Sequence, residues 1–373
     1  MALLTAATAG ALPAGAFASP DRALHPLPFN RVQLIGSHNS YKQAFDSALP
    51  ELAKEMGRDV SGIDYAHPPL IDQLKLGLRQ LELDLYHDPT GGRYAHPLLL
   101  KLLAQRQLPA RPFDPDGELR QPGLKVLHSH DLDFRTHHYT FASALRALRA
   151  FSELHPEHIP VVILLDLKYA RNHLPGETEP LMFDESALAG IEATILEELG
   201  PGRVVRPDDL RRDAPDLRTA VTNLPWPTAG EWAGRFIFIM QEHAPLTGTY
   251  SRMRPGLRGA VIFPDMPPDH PDAAFLILND PVSGEEAIRR RVQEGFFVRT
   301  RSDASTREMR GHDFRRFEAA QRSGAQAIST DYYLADWRIN PDFVIRFAPG
   351  TYARPNPLFV PSAGERRSPD DAR

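Results

Sequence analysis

His38 and Asn39 sit side by side in Gly36-Ser37-His38-Asn39-Ser40-Tyr41, directly after the apolar residues Val32, Leu34 and Ile35. A second stretch, Leu81-Glu82-Leu83-Asp84-Leu85-Tyr86, carries two carboxylates at i and i+2, on one face of an extended strand. Two buried like charges need a cation or a shared proton to compensate them, so the pair signals a metal site or a proton-sharing site. Farther along, His128 closes an apolar run and Asp166 closes another. Asn39, Glu82, Asp84 and Asp166 are all hard oxygen ligands, a set that suits Ca2+, less well Mg2+, and poorly Zn2+. His38 and His128 are then left as a general base and a general acid. Two imidazoles beside a metal-bound phosphate are what phosphodiester cleavage requires. One takes the proton of an attacking hydroxyl, the other protonates the leaving oxygen, and the metal offsets charge on the phosphate. Each residue alone has a structural explanation, and Asp166 with Lys168 reads equally well as a salt bridge. The pattern gains weight from recurring at the ends of four consecutive strands.

Those strands are expected at 32–35, 80–85, 124–128, 161–166, 236–240, 275–278, 296–300 and 326–330. Residues 161–165 are apolar without alternation, as in a strand covered on both faces. Phe141, Leu145, Leu148, Phe151 and Leu154 recur every three or four residues on one helix face. Asp184 reads as an N-cap and Gly200 as the stop of a second helix. Ser283 or Gly284 opens a third over 285–294, closed by Gly295. Eight strands alternating with helices predict an α/β chain folded as a (β/α)8 barrel, with functional groups at the C-terminal ends of the strands. A doubly wound open sheet is the rival. The turn after the first strand lacks the glycine-rich dinucleotide fingerprint. One catalytic domain is expected over 19–345, with a peripheral tail over 346–373.

Composition narrows the function. A net charge of −5 supplies no basic footprint for nucleic acid and no bulk attraction to an anionic membrane. With no cysteine in the chain, disulfides, thiolate metal sites and a Cys nucleophile are excluded. Residues 2–18 are uncharged and rich in Ala, Leu and Gly, and Ala16-Phe17-Ala18 fits a small-x-small cleavage pattern. Residues 1–18 are read as a secretory signal whose basic first residues lie upstream of Met1, against the alternative of an Ala-rich tail. Secretion is therefore expected. No other segment is apolar enough to span a bilayer.

With these residues in hand, the chain resembles the phosphatidylinositol-specific phospholipase C superfamily, and within it the calcium-dependent bacterial branch. The resemblance rests on Ser37-His38-Asn39-Ser40, Glu82-Leu83-Asp84, His128-Ser129 and Asp166, and extends over 31–331. Later segments that share it run from Gly295 to Arg301 and from Gly324 to Tyr332. It implies a bound Ca2+, because calcium-independent relatives carry Arg where Asp84 stands. It also implies that His38 and His128 act on the phosphate, while Asn39, Glu82, Asp84 and Asp166 hold the metal. The inositol 2-hydroxyl would attack phosphorus, releasing diacylglycerol and a cyclic inositol phosphate from a lipid at a membrane surface. Arg299, Arg301 and Tyr332 are candidate phosphate or ring contacts, and His130 competes with His128 for the second catalytic position. The sequence Phe236 to Met240 leads into Gln241-Glu242 without the lysines that would bind ring phosphates, which favours an unphosphorylated headgroup. A monomer is assumed. Two rival functions are a glycerophosphodiester phosphodiesterase, disfavoured by His38-Asn39-Ser40 in place of His-Arg-Gly, and a non-catalytic binding protein on the same barrel.

Overall fold

The structure, a computed structural model, describes residues 20–241 and 245–360; the expected secretory signal and Glu242 lie outside them. Eleven strands form one sheet: β1 Val32–Ser37, β2 Gln80–Tyr86, β3 Lys125–Val126, β4 Val161–Leu167, β5 Val204–Val205, β6 Phe236–Met240, β7 Ile262–Pro264, β8 Phe275–Ile277, β9 Phe297–Arg301, β10 Ala327–Thr330 and β11 Ala353–Pro355. The order is β5-β6-β4-β2-β1-β10-β9-β8, with β7 beside β6, β3 beside β2 and β11 beside β1. The first and last parallel staves thus meet, since Ser37 pairs with Thr330, and the sheet curls as a barrel must. Among the described residues no ladder joins β7 to β8. The seam there is crossed by Phe263 against Phe275, ring centroids 4.7 Å apart, and by the Ile277 N–H donating to Asp265 Oδ1 at 3.2 Å. The result is an α/β barrel left open at one seam.

Burial of both faces explains the wall. In β4, Val161 to Leu165 are all buried, and in β2 the leucines Leu81, Leu83 and Leu85 join the main apolar core. Period-two alternation then turns Glu82 and Asp84 away from those leucines. The amphipathic helix Phe141–Leu154 starts at Thr140, whose hydroxyl accepts from the Ser143 N–H, and packs its apolar stripe on this wall. Helix Glu185–Leu199 is capped by Asp184 and stopped by Gly200, as the sequence predicts.

The structure differs from the sequence reading at several elements. The strand expected at 124–128 is only β3, antiparallel to β2 rather than a stave of the barrel, so β2 pairs directly with β4. The short segments β5, β7 and β11 are additional strands. Helix Pro281–Gln293 begins earlier than expected because Asp280 caps it and Pro281 occupies its first position. The described part of the expected peripheral tail lies against the barrel: Phe347 is buried, and β11 pairs antiparallel with β1.

Candidate active site

The polar groups converge where β1, β2, β4, β9 and β10 end. Ladder register does most of the placing. Asp84 lies directly opposite Asp166 across β2 and β4. The side-chain oxygens of Glu82, Asp84 and Asp166 all lie within 4.8 Å of one another. Glu82 and Asp84 are buried and Asp166 is partly exposed. Asp84 is the extreme case: it is fully buried, and its ion-pair partner is the Lys168 ammonium, 3.0 Å from Oδ2. Burial pushes its carboxyl well above the usual range; Lys168 opposes this, while Asp166 and Glu82 reinforce it. Asn39, in the left-handed region with φ 46°, donates from Nδ2 to the Tyr65 hydroxyl at 2.7 Å. That bond leaves its carbonyl oxygen available as a ligand. An all-oxygen donor set around a buried carboxylate fits Ca2+.

Glu82 is held from the far side of the barrel. Arg299, fully buried on β9, donates to Glu82 Oε2 at 2.6 Å, to Ser329 Oγ at 3.1 Å and to Asn279 Oδ1 at 2.5 Å. Burial lowers this guanidinium to about 10 while Glu82 opposes the shift. Arg299 is therefore committed to internal partners. Arg301, two residues on, instead borders His38, with Nη1 3.3 Å from its Nε2.

The two histidines have matching supports. His38 follows β1, and its Nδ1 lies 2.9 Å from Asp331 Oδ1 and 3.1 Å from the Tyr65 hydroxyl. The Asp331 contact assigns the Nδ1–H tautomer and leaves Nε2 with its lone pair, 3.6 Å from Glu82 Oε1. Burial, then the Arg301 charge, push His38 well below the usual imidazole range, so it is neutral at physiological pH. His128 Nδ1 lies 2.8 Å from Asp133 Oδ2, and the buried Lys42 ammonium is 3.1 Å from the same oxygen. A tight turn brings Asp133 back, with its N–H donating to the Ser129 carbonyl at 2.8 Å. His128 lines a cavity of about 470 Å³ together with Tyr86, Ser129, Asp166, Lys168 and Asn172.

His130 is buried between the edges of Tyr86 and Tyr94, and its Nε2 is 2.6 Å from the Thr178 carbonyl, so it belongs to the packing. Tyr332 is also buried, edge-on to Phe343 with centroids 5.8 Å apart. Sequence reasoning missed Asp133, Asp331, Tyr65 and Lys42. For Asp331 a signal existed: once the last stave is placed beside the first, the residue after Thr330 must lie beside the residue after Ser37.

Known proteins share both the sequence pattern and the architecture. The chain is similar to a Pseudomonas sp. calcium-dependent phosphoinositol-specific phospholipase C solved as a myo-inositol complex. The identity is 14%, the TM-score 0.55, and the match covers 90% of this chain and 97% of that one. It is also similar to a Ca2+-dependent phosphatidylinositol-specific phospholipase C from Streptomyces antibioticus, at 17% identity and TM-score 0.50, covering 82% of this chain and 95% of the other. These likenesses show the fold. No curated protein sequence matches the chain. The sequence pattern of the family described as "Phosphoinositide phospholipase C, Ca2+-dependent" matches residues 27–357, and the chain belongs to that family.

Proposed function

We propose that this calcium-dependent phospholipase C splits phosphatidylinositol into diacylglycerol and a cyclic inositol phosphate, with His38 as base and His128 as acid. The observation that carries the reading is the pairing of each imidazole with its own carboxylate at the rim that also holds the acidic cluster. His38 is neutral and presents the Nε2 lone pair, so it takes the proton of the inositol 2-hydroxyl as that oxygen bonds to phosphorus. As the bond from phosphorus to the diacylglycerol oxygen breaks, His128 Nε2 gives that oxygen a proton. Asp331 and Asp133 fix the two rings by holding Nδ1. Arg301 stands beside His38, where its guanidinium balances charge on the phosphate oxygens. Asn39, Glu82, Asp84 and Asp166 would hold the calcium ion, which supplies charge stabilisation at the phosphate. The Pseudomonas relative solved with myo-inositol supports an inositol headgroup.

The substrate lies in a lipid surface. No helix among the described residues is long and apolar enough to cross a membrane. Leu334 and Trp337, 42% and 83% exposed on the loop after β10, offer apolar contact at the catalytic end. Secretion rests on the uncharged Ala- and Leu-rich residues 2–18.

Phosphatidylinositol vesicles incubated with the protein, followed by 31P NMR with calcium and with excess chelator, test the reading. A cyclic phosphodiester signal that appears only with calcium is expected. Release unaffected by the chelator, or none from folded protein with calcium, would overturn it.

A further inference from the structure

Asp84 and Asp166 face each other across a parallel ladder, and Asp84 is buried. Two such carboxylates cannot both stay ionised without a cation between them. Arg299 does not serve this purpose, because its contacts are Glu82, Ser329 and Asn279. The cation in contact with both is Lys168. Its Nζ is 2.5 Å from Asp166 Oδ2 and 3.0 Å from Asp84 Oδ2, and among the described residues neither carboxylate has another ion-pair partner.

The backbone at Lys168 is fixed, since its N–H donates to the Leu85 carbonyl at 2.8 Å and continues the pairing of β4 with β2. Its side chain is held by two ion pairs. It keeps 26% exposure and lines the cavity that also holds His128, Ser129 and Asn172, so the ammonium has polar space to enter. Lysine suits such a role, being a point charge on a flexible stem rather than a rigid fork.

We propose that Lys168 is a built-in counter-cation that competes with calcium for the Asp84–Asp166 pair and thereby sets the calcium concentration at which the site fills. This rests on the assignment of those carboxylates to calcium. A calcium ion takes oxygen ligands at about 2.3–2.6 Å. The two Lys168 contacts fall on carboxylates of the same acidic cluster, so ammonium and dication would repel each other there. Calcium entry therefore breaks both Lys168 ion pairs and sends the ammonium into the neighbouring cavity. In the calcium-free chain the lysine offsets part of the charge of the Asp84–Asp166 pair and holds the barrel end folded.

Isothermal titration with calcium, together with thermal melting with and without calcium, separates the possibilities for wild type, Lys168→Met, Lys168→Arg and Asp84→Asn. Lys168→Met should bind calcium at least about tenfold more tightly than wild type. It should also melt lower without calcium, with the gap closing at saturating calcium. Lys168→Arg keeps the charge and should bind calcium less tightly than Lys168→Met. Should the Met variant fold only with calcium, its affinity is read by chelator competition. If Asp84→Asn loses calcium binding while Lys168→Met is unchanged or weaker, the metal site stands and the role of Lys168 falls. If wild type and Asp84→Asn bind calcium alike, both fall.

Discussion

His38 and His128 are each paired with a carboxylate, and such pairs separate catalysis from scaffolding residue by residue. His38→Ala and His128→Ala should each lower turnover by about 10²–10⁴-fold while leaving calcium affinity close to wild type, read by vesicle assay and calorimetry side by side. Near-wild-type turnover in either variant would remove that histidine from the chemistry. Arg299 is the contrasting case. Its guanidinium and the Glu82 carboxylate are each about 1% exposed and 2.6 Å apart, so removing one strands the other in the interior. Arg299→Met should therefore cost about 3–5 kcal/mol of folding stability in chemical denaturation. A loss confined to substrate affinity would instead place Arg299 on the headgroup. The sequence singled out both histidines and the four candidate oxygen ligands because a polar side chain that closes an apolar run, or alternates with its leucines, stands out locally. It missed Asp133, because the turn that returns this residue to His128 leaves no mark beyond their spacing.

At the level of elements, the site depends on how closely β1 approaches β2. Their ladder has one registered pair, Gly36 with Gln80, and a methyl group on Gly36 would lie 2.5 Å from Gln80 Cβ. No rotamer relieves a contact with Cβ, so the strands would have to part. Gly36→Ala should destabilise the fold by about 1–3 kcal/mol and lower activity more than His38 chemistry alone explains, because His38 and Glu82 would separate. Comparing melting temperature with turnover at a temperature where the variant is folded checks this. The long runs in β4 and β6 were readable as covered strands, since continuous apolar sequence has few alternatives. The short strands β5 and β7 were not, and the strand read at 124–128 proved to be the two-residue β3. Their pairing comes from neighbours far along the chain, and β3 kept the apolar signature of a stave while running antiparallel.

For the whole molecule, stability should respond to pH through carboxyls buried behind His38. Burial, reinforced by Asp331, pushes Asp303 up to about 6, and burial pushes Asp331 to about 6 against the pull of Arg301 and Lys42. Their folded values exceed the unfolded value near 4, so the folded chain binds more protons between about pH 4 and 6. This contribution is present at the acid end of that window and is lost as pH rises through it. Asp303→Asn should flatten the decline, which is on the order of 2 kcal/mol for this group, in urea titrations across the window. A wild-type curve that rises through the window with or without Asp303 would contradict the shift. At the lipid surface, Trp337→Ala should reduce binding to phosphatidylinositol vesicles several-fold in sedimentation assays, with thermal stability unchanged because the ring is 83% exposed. Unaltered vesicle binding would remove this loop from the lipid contact.

The sequence by itself determined the kind of fold and the chemical inventory. Apolar periodicity is local, and so is the placement of His38, His128 and Asp166 after apolar runs and of Glu82 and Asp84 within one. Tertiary structure decided which groups meet. Curling of the sheet set β10 against β1 and brought Asp331 to His38. Arg299 reached Glu82 across 217 residues of sequence. Parallel register set Asp84 opposite Asp166 and Lys168 between them. Charge compensation depends on distance in space, and that distance exists only once the strands are in register.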